Sequence, residues 1–357
     1  MKLLFTGGGS AGHVTPNIAL IERAQQEGWE CLYVGSRTGI EKDIVKSLDI
    51  PYHAIASGKL RRYFDWQNFI DPFFILYGII QSLFICRRHQ PDVVFSKGGF
   101  VTVPIVFAAW LCRIPVICHE SDVTPGLANK ICFPFSRYIC VNFEQTRQYL
   151  PAGKAIVTGT PVRNSIVDGN ALRGRQFLGI TSDKPVLLVF GGSLGAKAIN
   201  EQVRRVLTQL TENFVLVHVT GAGNEDKALN GRSDYLQIDF LANEFGDVLA
   251  AADLVIARAG ANSIYELLLT RKPHILIPLS AAVSRGDQLV NAKTFAEAGY
   301  SRVIEEDALN DELFIREIED VFDNRKKIID RLEEFDVQDS TTVIVDLIKK
   351  TVEGEMR

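Results

Sequence analysis

The sequence predicts an α/β protein built from two doubly wound, parallel-sheet domains, and three observations carry that reading. Its 357 residues match about two domains of ordinary size, roughly 100–200 residues each. Short apolar runs alternate with helical stretches along the whole chain. The strand and glycine turn that open it, Leu3-Leu4-Phe5-Thr6-Gly7-Gly8, return at mid-chain as Leu187-Leu188-Val189-Phe190-Gly191-Gly192.

Each strand candidate rests on continuity rather than alternation. In the first half the runs are Leu3–Thr6, Cys31–Val34, Val93–Ser96, Val116–His119 and Tyr138–Val141. In the second half they are Val186–Phe190, Phe214–Thr220, Tyr235–Phe240, Leu254–Ala257 and Ile275–Pro278. Apolar side chains at successive positions imply burial on both faces, which helices on both sides of a parallel sheet provide. A glycine-rich or polar turn follows each run, as βα repeats require. The boundary falls in Gly159–Asn164, where glycine and proline interrupt the pattern, placing domains at 1–162 and 163–339. Beyond Leu309 the chain reads as helical and charged, ending in an amphipathic stretch, Thr341–Thr351, without a strand partner.

Composition narrows the function. With 46% apolar and 23% charged residues, the chain is neither disordered, collagen-like nor disulfide-stapled. Lysine plus arginine is 39 against 43 acidic residues, a formal charge of −4, so no global basic excess points to nucleic acid. The six cysteines all fall in the first half, without a Cys-x-x-Cys pair or a histidine cluster at zinc spacing; they read as small buried hydrophobes in a reducing compartment. The apolar start stops at Gly7, too short for a secretory core, which suits a cytoplasmic protein opening on a strand.

The glycine turns carry the chemistry. Gly7-x-Gly9-x-x-Gly12 matches a dinucleotide fingerprint, yet the next strand ends Val34-Gly35-Ser36-Arg37 without the acid that holds a ribose. Arg37 leaves an NADP site open, and a turn needed only for close packing is equally open. His13 closes the turn and suits a general base near neutrality, or a helix-terminal hydrogen bond to backbone. The second turn, Gly191–Gly195 with the Ser193 hydroxyl, precedes a helix near Ala196, a phosphate site that needs no metal. After Leu254–Ala257, Asn262 and Ser263 are placed to cap another helix. Glu266, one turn in, suits a pair of vicinal hydroxyls or, equally, the helix dipole. Asp-x-Asp, a common device for holding a divalent metal against a diphosphate, is missing; no metal site and no cofactor are expected.

One stretch runs against the mild overall charge. Between Ile55 and Gln90, Lys59, Arg61, Arg62, Arg87 and Arg88 outnumber Asp65 and Asp71 around the apolar segment Phe69–Cys86. Asp71, Pro72, Gly78, Gln81 and Ser82 argue against a transmembrane helix. The segment reads as an amphipathic helix with an interfacial membrane patch formed by Arg61, Arg62, Phe73, Phe74, Leu76, Ile80, Arg87 and Arg88. The alternative is a wholly buried helix.

Several blocks together resemble one enzyme family. They are Gly8–His13, Ser96–Phe100, His119–Asp122 with Thr124–Lys130, Gly159–Arg163, Gly191–Ala196, Arg258–Glu266, and Asp287-Gln288 with Asn291-Ala292. In that order they resemble the N-acetylglucosaminyltransferases that act on undecaprenyl-pyrophosphoryl-muramoyl-pentapeptide in peptidoglycan synthesis. The likeness runs from residue 3 to about 305.

The resemblance implies a GT-B fold, two Rossmann-like domains facing across a cleft, with residues 340–357 returning to the first. The expected reaction is an inverting transfer of GlcNAc from UDP-GlcNAc to the 4-hydroxyl of the muramoyl residue of lipid I, giving lipid II for wall growth and cell division. Ser10, Ala11 and Gly12 would close over the donor, with His13 the favoured base and Glu120 or Asp122 the competing candidates. Arg163, Ser193 and the following amides would meet the diphosphate, the Leu241 backbone the uracil. Ala261, Asn262, Ser263 and Ile264 would bind diphosphate and nucleoside, Glu266 the ribose and Gln288 the sugar. The implied partners are UDP-GlcNAc, lipid I, the cytoplasmic face of the plasma membrane and other wall-synthesis proteins. Many members have His-Glu-Gln-Asn where this chain has His119-Glu120-Ser121-Asp122; an ionised Asp122 only accepts hydrogen bonds, so its contact with a sugar hydroxyl changes in kind. An NADP-dependent oxidoreductase and a non-catalytic nucleotide-sugar sensor are the alternatives.

Overall fold

The computed structural model describes residues 1–58, 67–192, 195–282, 284–335 and 339–354, with the backbone alone for Ser47 and residues 67–70. Contacts divide the chain into two units, Met1–Arg163 with Gln338–Arg357, and Asn164–Val337.

The first unit holds β1 (Lys2–Thr6), β2 (Glu30–Ser36), β3 (Tyr52–Ile55), β4 (Val93–Ser96), β5 (Val116–Glu120), β6 (Tyr138–Val141) and β7 (Ala155–Val157). Among the described residues they form one parallel sheet in the order β3-β2-β1-β4-β5-β6-β7. Successive residues serve opposite faces. Leu4, Val34, Val94 and Ile139 join one buried cluster, while Leu3, Phe5, Tyr33, Phe95 and Ile117 join another. The second cluster includes Ile344, Val345, Leu347 and Ile348 of the helix Ser340–Glu353, beside the helix Thr15–Gln26.

The second unit holds β8 (Val186–Phe190), β9 (Val215–Val219), β10 (Tyr235–Ile238), β11 (Leu254–Ala257), β12 (His274–Leu276) and β13 (Arg302–Val303). They form a parallel sheet in the order β10-β9-β8-β11-β12-β13. Three strands escape the sequence reading: β3, β7 and β13. All three lie at sheet edges, where one neighbour is missing and the continuous apolar signal of a doubly covered strand fades.

In both sheets the strand order reverses beside the glycine turn. β1 pairs with β2 on one side and β4 on the other; β8 lies between β9 and β11. In open α/β sheets the crevice at such a switch point, beyond the carboxyl ends of the strands, is where ligands bind.

Candidate active site

In the first unit, β1 runs into Gly7-Gly8-Gly9-Ser10, a single 3-10 turn at Ala11–His13, and the helix Thr15–Gln26. Ser10, Ala11, Gly12 and His13 therefore sit together at the switch point. His13 Nδ1 lies 3.0 Å from Gly8 O and 3.2 Å from Ser10 Oγ. A carbonyl only accepts, so Nδ1 carries the hydrogen and the basic lone pair belongs to Nε2.

Glu41 holds the turn from beneath. Fully buried, it accepts hydrogen bonds from Ser36 N at 2.8 Å, Ser36 Oγ at 2.5 Å and Gly9 N at 3.3 Å. A β-carbon on Gly8 would come within 2.6 Å of its carboxylate. The space is filled by protein, which answers the dinucleotide reading: the acid missing from the end of β2 arrives from the next helix, and it holds backbone. Gly99, at φ +91°, closes the other side, where a β-carbon would stand 2.1 Å from Gly8 O.

Next to this turn, β4 and β5 deliver Lys97 and His119–Asp122. Glu120, 5% exposed, has both carboxylate oxygens engaged, with Asp122 N at 3.0 Å, Gly126 N at 3.0 Å and Asn129 Nδ2 at 2.9 Å. That geometry suits a group that shapes the loop. Asp122 is half-buried, and its carbonyl accepts from Thr146 Oγ1 at 3.4 Å. Arg163 ends the unit, its Nε buried without a hydrogen-bond partner among the described residues.

In the second unit, β8 feeds Gly191-Gly192, and the helix Lys197–Arg205 starts after Gly195-Ala196. Gly195 adopts φ +77°, and a β-carbon there would meet Thr220 O at 2.0 Å. Ser193 lies outside the described residues. From β11 the chain passes through Arg258-Ala259-Gly260 into the helix Ala261–Leu269. Gly260 is its N-cap, without a side-chain cap, so Asn262 and Ser263 do not cap the helix. They belong to its first turn with Ala261, because Gly260 already has extended backbone geometry and Ile264 N bonds Gly260 O at 3.0 Å. The positive end of the helix dipole thus faces the carboxyl end of β11.

A cavity of about 470 Å³ joins the turn (Gly191, Gly195, Ala196) to Lys197, Arg258 and Gln288. Gln288 Oε1 accepts from Leu279 N at 3.0 Å, so its orientation is set by backbone and its amide NH2 is the group left to meet a ligand. Arg258 is braced by Ile277 O at 3.2 Å and by an ion pair with Glu306. The sequence reading placed Arg258 in a motif without a role; its signal was a basic residue directly after a switch-point strand. Glu266 and Leu241 do not line this cavity. Glu266 is half-buried in the second turn of its helix, and Leu241 is buried.

The apolar segment forms the helix Gln67–His89. Phe73, Phe74, Leu76, Tyr77, Ile80 and Phe84 are exposed, Phe73 to 71%, in a stripe of helical spacing that excludes a wholly buried helix. The opposite face packs on the helix Thr102–Leu111, with Gly78 against Ala56 O and Gln81 Oε1 accepting from Ala56 N at 2.8 Å. Arg87 and Arg88 are exposed at its end. Arg61 and Arg62 lie outside the described residues. No helix among the described residues is long and apolar enough to cross a membrane.

Two Rossmann-like units, each with a glycine turn at its switch point and the second with a cavity there, are the architecture of the GT-B glycosyltransferase fold. The models of the glycosyltransferase family 28 N-terminal and C-terminal domains match residues 3–140 and 186–347. A UDP-N-acetylglucosamine–N-acetylmuramyl-(pentapeptide) pyrophosphoryl-undecaprenol N-acetylglucosamine transferase of Clostridium perfringens is 49% identical over 350 residues, 98% of each chain. The Legionella pneumophila protein of that name is 48% identical, over 98% of this chain and 96% of its own. The crystal structure of Acinetobacter baumannii MurG superposes with a TM-score of 0.77 at 26% identity, covering 98% of this chain and 99% of that one. The chain belongs to glycosyltransferase family 28 and, within it, to the MurG family.

Proposed function

We infer that this glycosyltransferase moves GlcNAc from UDP-GlcNAc to the 4-hydroxyl of the muramoyl residue of lipid I, forming lipid II, with inversion at the sugar carbon. The observation that carries the reading is near-50% identity to transferases of that name along 98% of the chain.

In this reading His13 Nε2 takes the proton of the acceptor hydroxyl as the new glycosidic bond forms, the Gly8 carbonyl fixing the reactive tautomer through Nδ1. UDP departs toward the positive ends of two helices, the one that begins at Lys197 and the one whose first turn is Ala261–Ile264, with Ser193 as a hydroxyl donor to the diphosphate. Arg163 supplies a cation to the diphosphate. Glu266 accepts from the ribose hydroxyls, the Leu241 backbone pairs with uracil, and the Gln288 amide NH2 meets the sugar. Ser10, Ala11 and Gly12 close over the donor. Glu120 shapes the loop that carries Asp122 on the acceptor side. No step calls on a metal. The exposed stripe Phe73–Phe84, with Arg87 and Arg88, seats the first unit on the cytoplasmic face of the membrane, where the acceptor is anchored.

The direct test mixes the purified chain with UDP-GlcNAc and a lipid I analogue. Disaccharide product and UDP are expected, and absence of both ends the reading. His13→Ala should lower kcat by roughly 10²–10⁴-fold while UDP-GlcNAc binding, measured by calorimetry, stays within about twofold. Unchanged turnover removes His13 from the role.

A further inference from the structure

Beneath the second glycine turn runs a chain of buried polar side chains that the transfer chemistry above leaves unused. His218 on β9, Tyr235 at the start of β10 and Asn200 in the helix Lys197–Arg205 are all buried. Asn200 Nδ2 lies 2.9 Å from Thr220 O, His218 Nε2 2.9 Å from Asn200 Oδ1, and His218 Nδ1 2.9 Å from the Tyr235 hydroxyl. The carbonyl at the end fixes every hydrogen in the chain. Thr220 O only accepts, so the Asn200 NH2 faces it and Oδ1 faces the ring. His218 therefore carries its hydrogen on Nε2, and Nδ1 accepts from the phenol. Burial, and then the charge of Arg204, push the His218 pKa down to about 3, so the ring stays neutral and the chain keeps one direction near neutral pH.

The chain ends where the turn is held. Thr220 follows directly on β9, and Gly195 stands against its carbonyl, since a β-carbon on Gly195 would come within 2.0 Å of Thr220 O. Asn200 ties the same two pieces together from the helix. Its backbone N donates to Ala196 O at 2.9 Å while its side chain donates to Thr220 O. One side chain thus sets how the start of the helix Lys197–Arg205 sits on the end of β9, and the His218 ring sets that side chain. The surroundings are apolar: Tyr235 belongs to the cluster of Leu187, Val189, Ile199 and Leu216, and Val189 is the sheet partner of His218. Packing alone would be met there by an apolar side chain, without desolvating three polar groups.

We propose that His218 is a positioning residue for the diphosphate of the sugar donor. Through Asn200 it fixes Thr220 O, and through that oxygen the turn at Gly195 from which the helix Lys197–Arg205 presents its positive end. The inference rests on the diphosphate reading, given above, of the cavity lined by Gly191, Gly195 and Ala196. The ring touches no substrate in this role. Its effect is confined to the phosphates, because the nucleoside is assigned to Glu266 and the Leu241 backbone.

The test compares UDP with uridine on the full chain, UDP by titration calorimetry and uridine by its displacement of UDP. His218→Leu takes the donor from Asn200 Oδ1 and frees the amide to turn. The UDP Kd should rise roughly 10-fold, the scale of one buried hydrogen bond left unmade, with the uridine Kd within about twofold. His218→Gln, whose side-chain NH2 can stand in for Nε2–H, should recover most of the UDP affinity. Tyr235→Phe keeps the ring and deletes only the hydroxyl; it should raise the UDP Kd roughly threefold and leave uridine unchanged. The proposal is overturned if His218→Leu, folded by its melting temperature, binds UDP as the wild type does. It is equally overturned if UDP and uridine weaken together, or if His218→Gln is as impaired as His218→Leu. Should His218→Leu not fold, wild-type UDP affinity in Tyr235→Phe overturns it instead. A wild-type chain that binds UDP no more tightly than uridine would overturn the diphosphate reading itself.

Discussion

Removing the Glu41 carboxylate tests whether the glycine turn is held from beneath. The side chain accepts two short hydrogen bonds, from Ser36 N at 2.8 Å and Ser36 Oγ at 2.5 Å, and a longer one from Gly9 N at 3.3 Å. Hydrogen bonds to a charged group contribute about 1.5–3 kcal/mol each when buried, and the longer one less. Glu41→Ala deletes all three, strands buried donors and leaves a void beside Gly8, so a loss of about 3–5 kcal/mol is expected. For a unit of this size that lowers the melting temperature by roughly 6–20 °C. Calorimetry on the full chain should show the transition of the first unit moving and that of the second staying. Because Gly8 O and Gly9 belong to the turn that orients His13, kcat at a temperature where the variant is folded should fall as well. Glu41→Gln keeps the shape but faces Ser36 N and Gly9 N with an amide that accepts through one oxygen only; it should lose about 1–3 kcal/mol. A Glu41→Ala variant that melts within 1 °C of wild type, or turns over at the wild-type rate, would refute the reasoning.

Gly99→Ala places a β-carbon 2.1 Å from Gly8 O at φ +91°; it should cost at least about 2 kcal/mol in denaturant unfolding and depress kcat through the displaced carbonyl. Reversing Arg87 and Arg88 to glutamate should weaken binding to anionic vesicles roughly tenfold or more, at about 1 kcal/mol per arginine, with the difference fading at high salt. Sedimentation reads this directly, and undiminished binding removes the stripe from its membrane role. In the second unit, burial pushes His274 down to about 4 and His218 to about 3. The unfolded chain binds the extra protons first, so stability present above pH 6.5 is lost as pH falls toward 4, by up to about 1.4 kcal/mol per pH unit for each histidine. His274→Asn should flatten the acid slope of the melting temperature; an unchanged slope would exclude this histidine as its source.

Much of this was legible in the sequence, for a physical reason. Strands covered on both faces leave continuous apolar runs, so Leu3–Thr6, Val186–Phe190 and their neighbours stood out, while edge strands such as Tyr52–Ile55 and Arg302–Val303 did not. The glycine turns were visible because close approach of backbones admits no side chain, as at Gly99 against Gly8 O. Glu41 and Lys97 were not, since neither lies in a spacing that reports its partner. Glu41 reaches back over five residues to Ser36 and over thirty-two to Gly9, and Lys97 meets Ser121 across a strand pair. The helix Ala261–Leu269 was found, but its cap was assigned to polar residues when Gly260 takes that place, because a capping side chain is only one way to begin a helix.

The helix Ser340–Glu353 lends four of its side chains, Ile344, Val345, Leu347 and Ile348, to the cluster that also contains Leu3, Phe5 and Leu20. During synthesis, then, the N-terminal unit emerges first yet cannot finish its interior until the final helix leaves the ribosome. The second unit, whose residues lie wholly between the two contributions, is free to fold ahead of it. The usual vectorial order is reversed, and the nascent first unit must wait with an apolar face uncovered for about 180 residues of further translation, roughly 10–40 s at ordinary elongation rates.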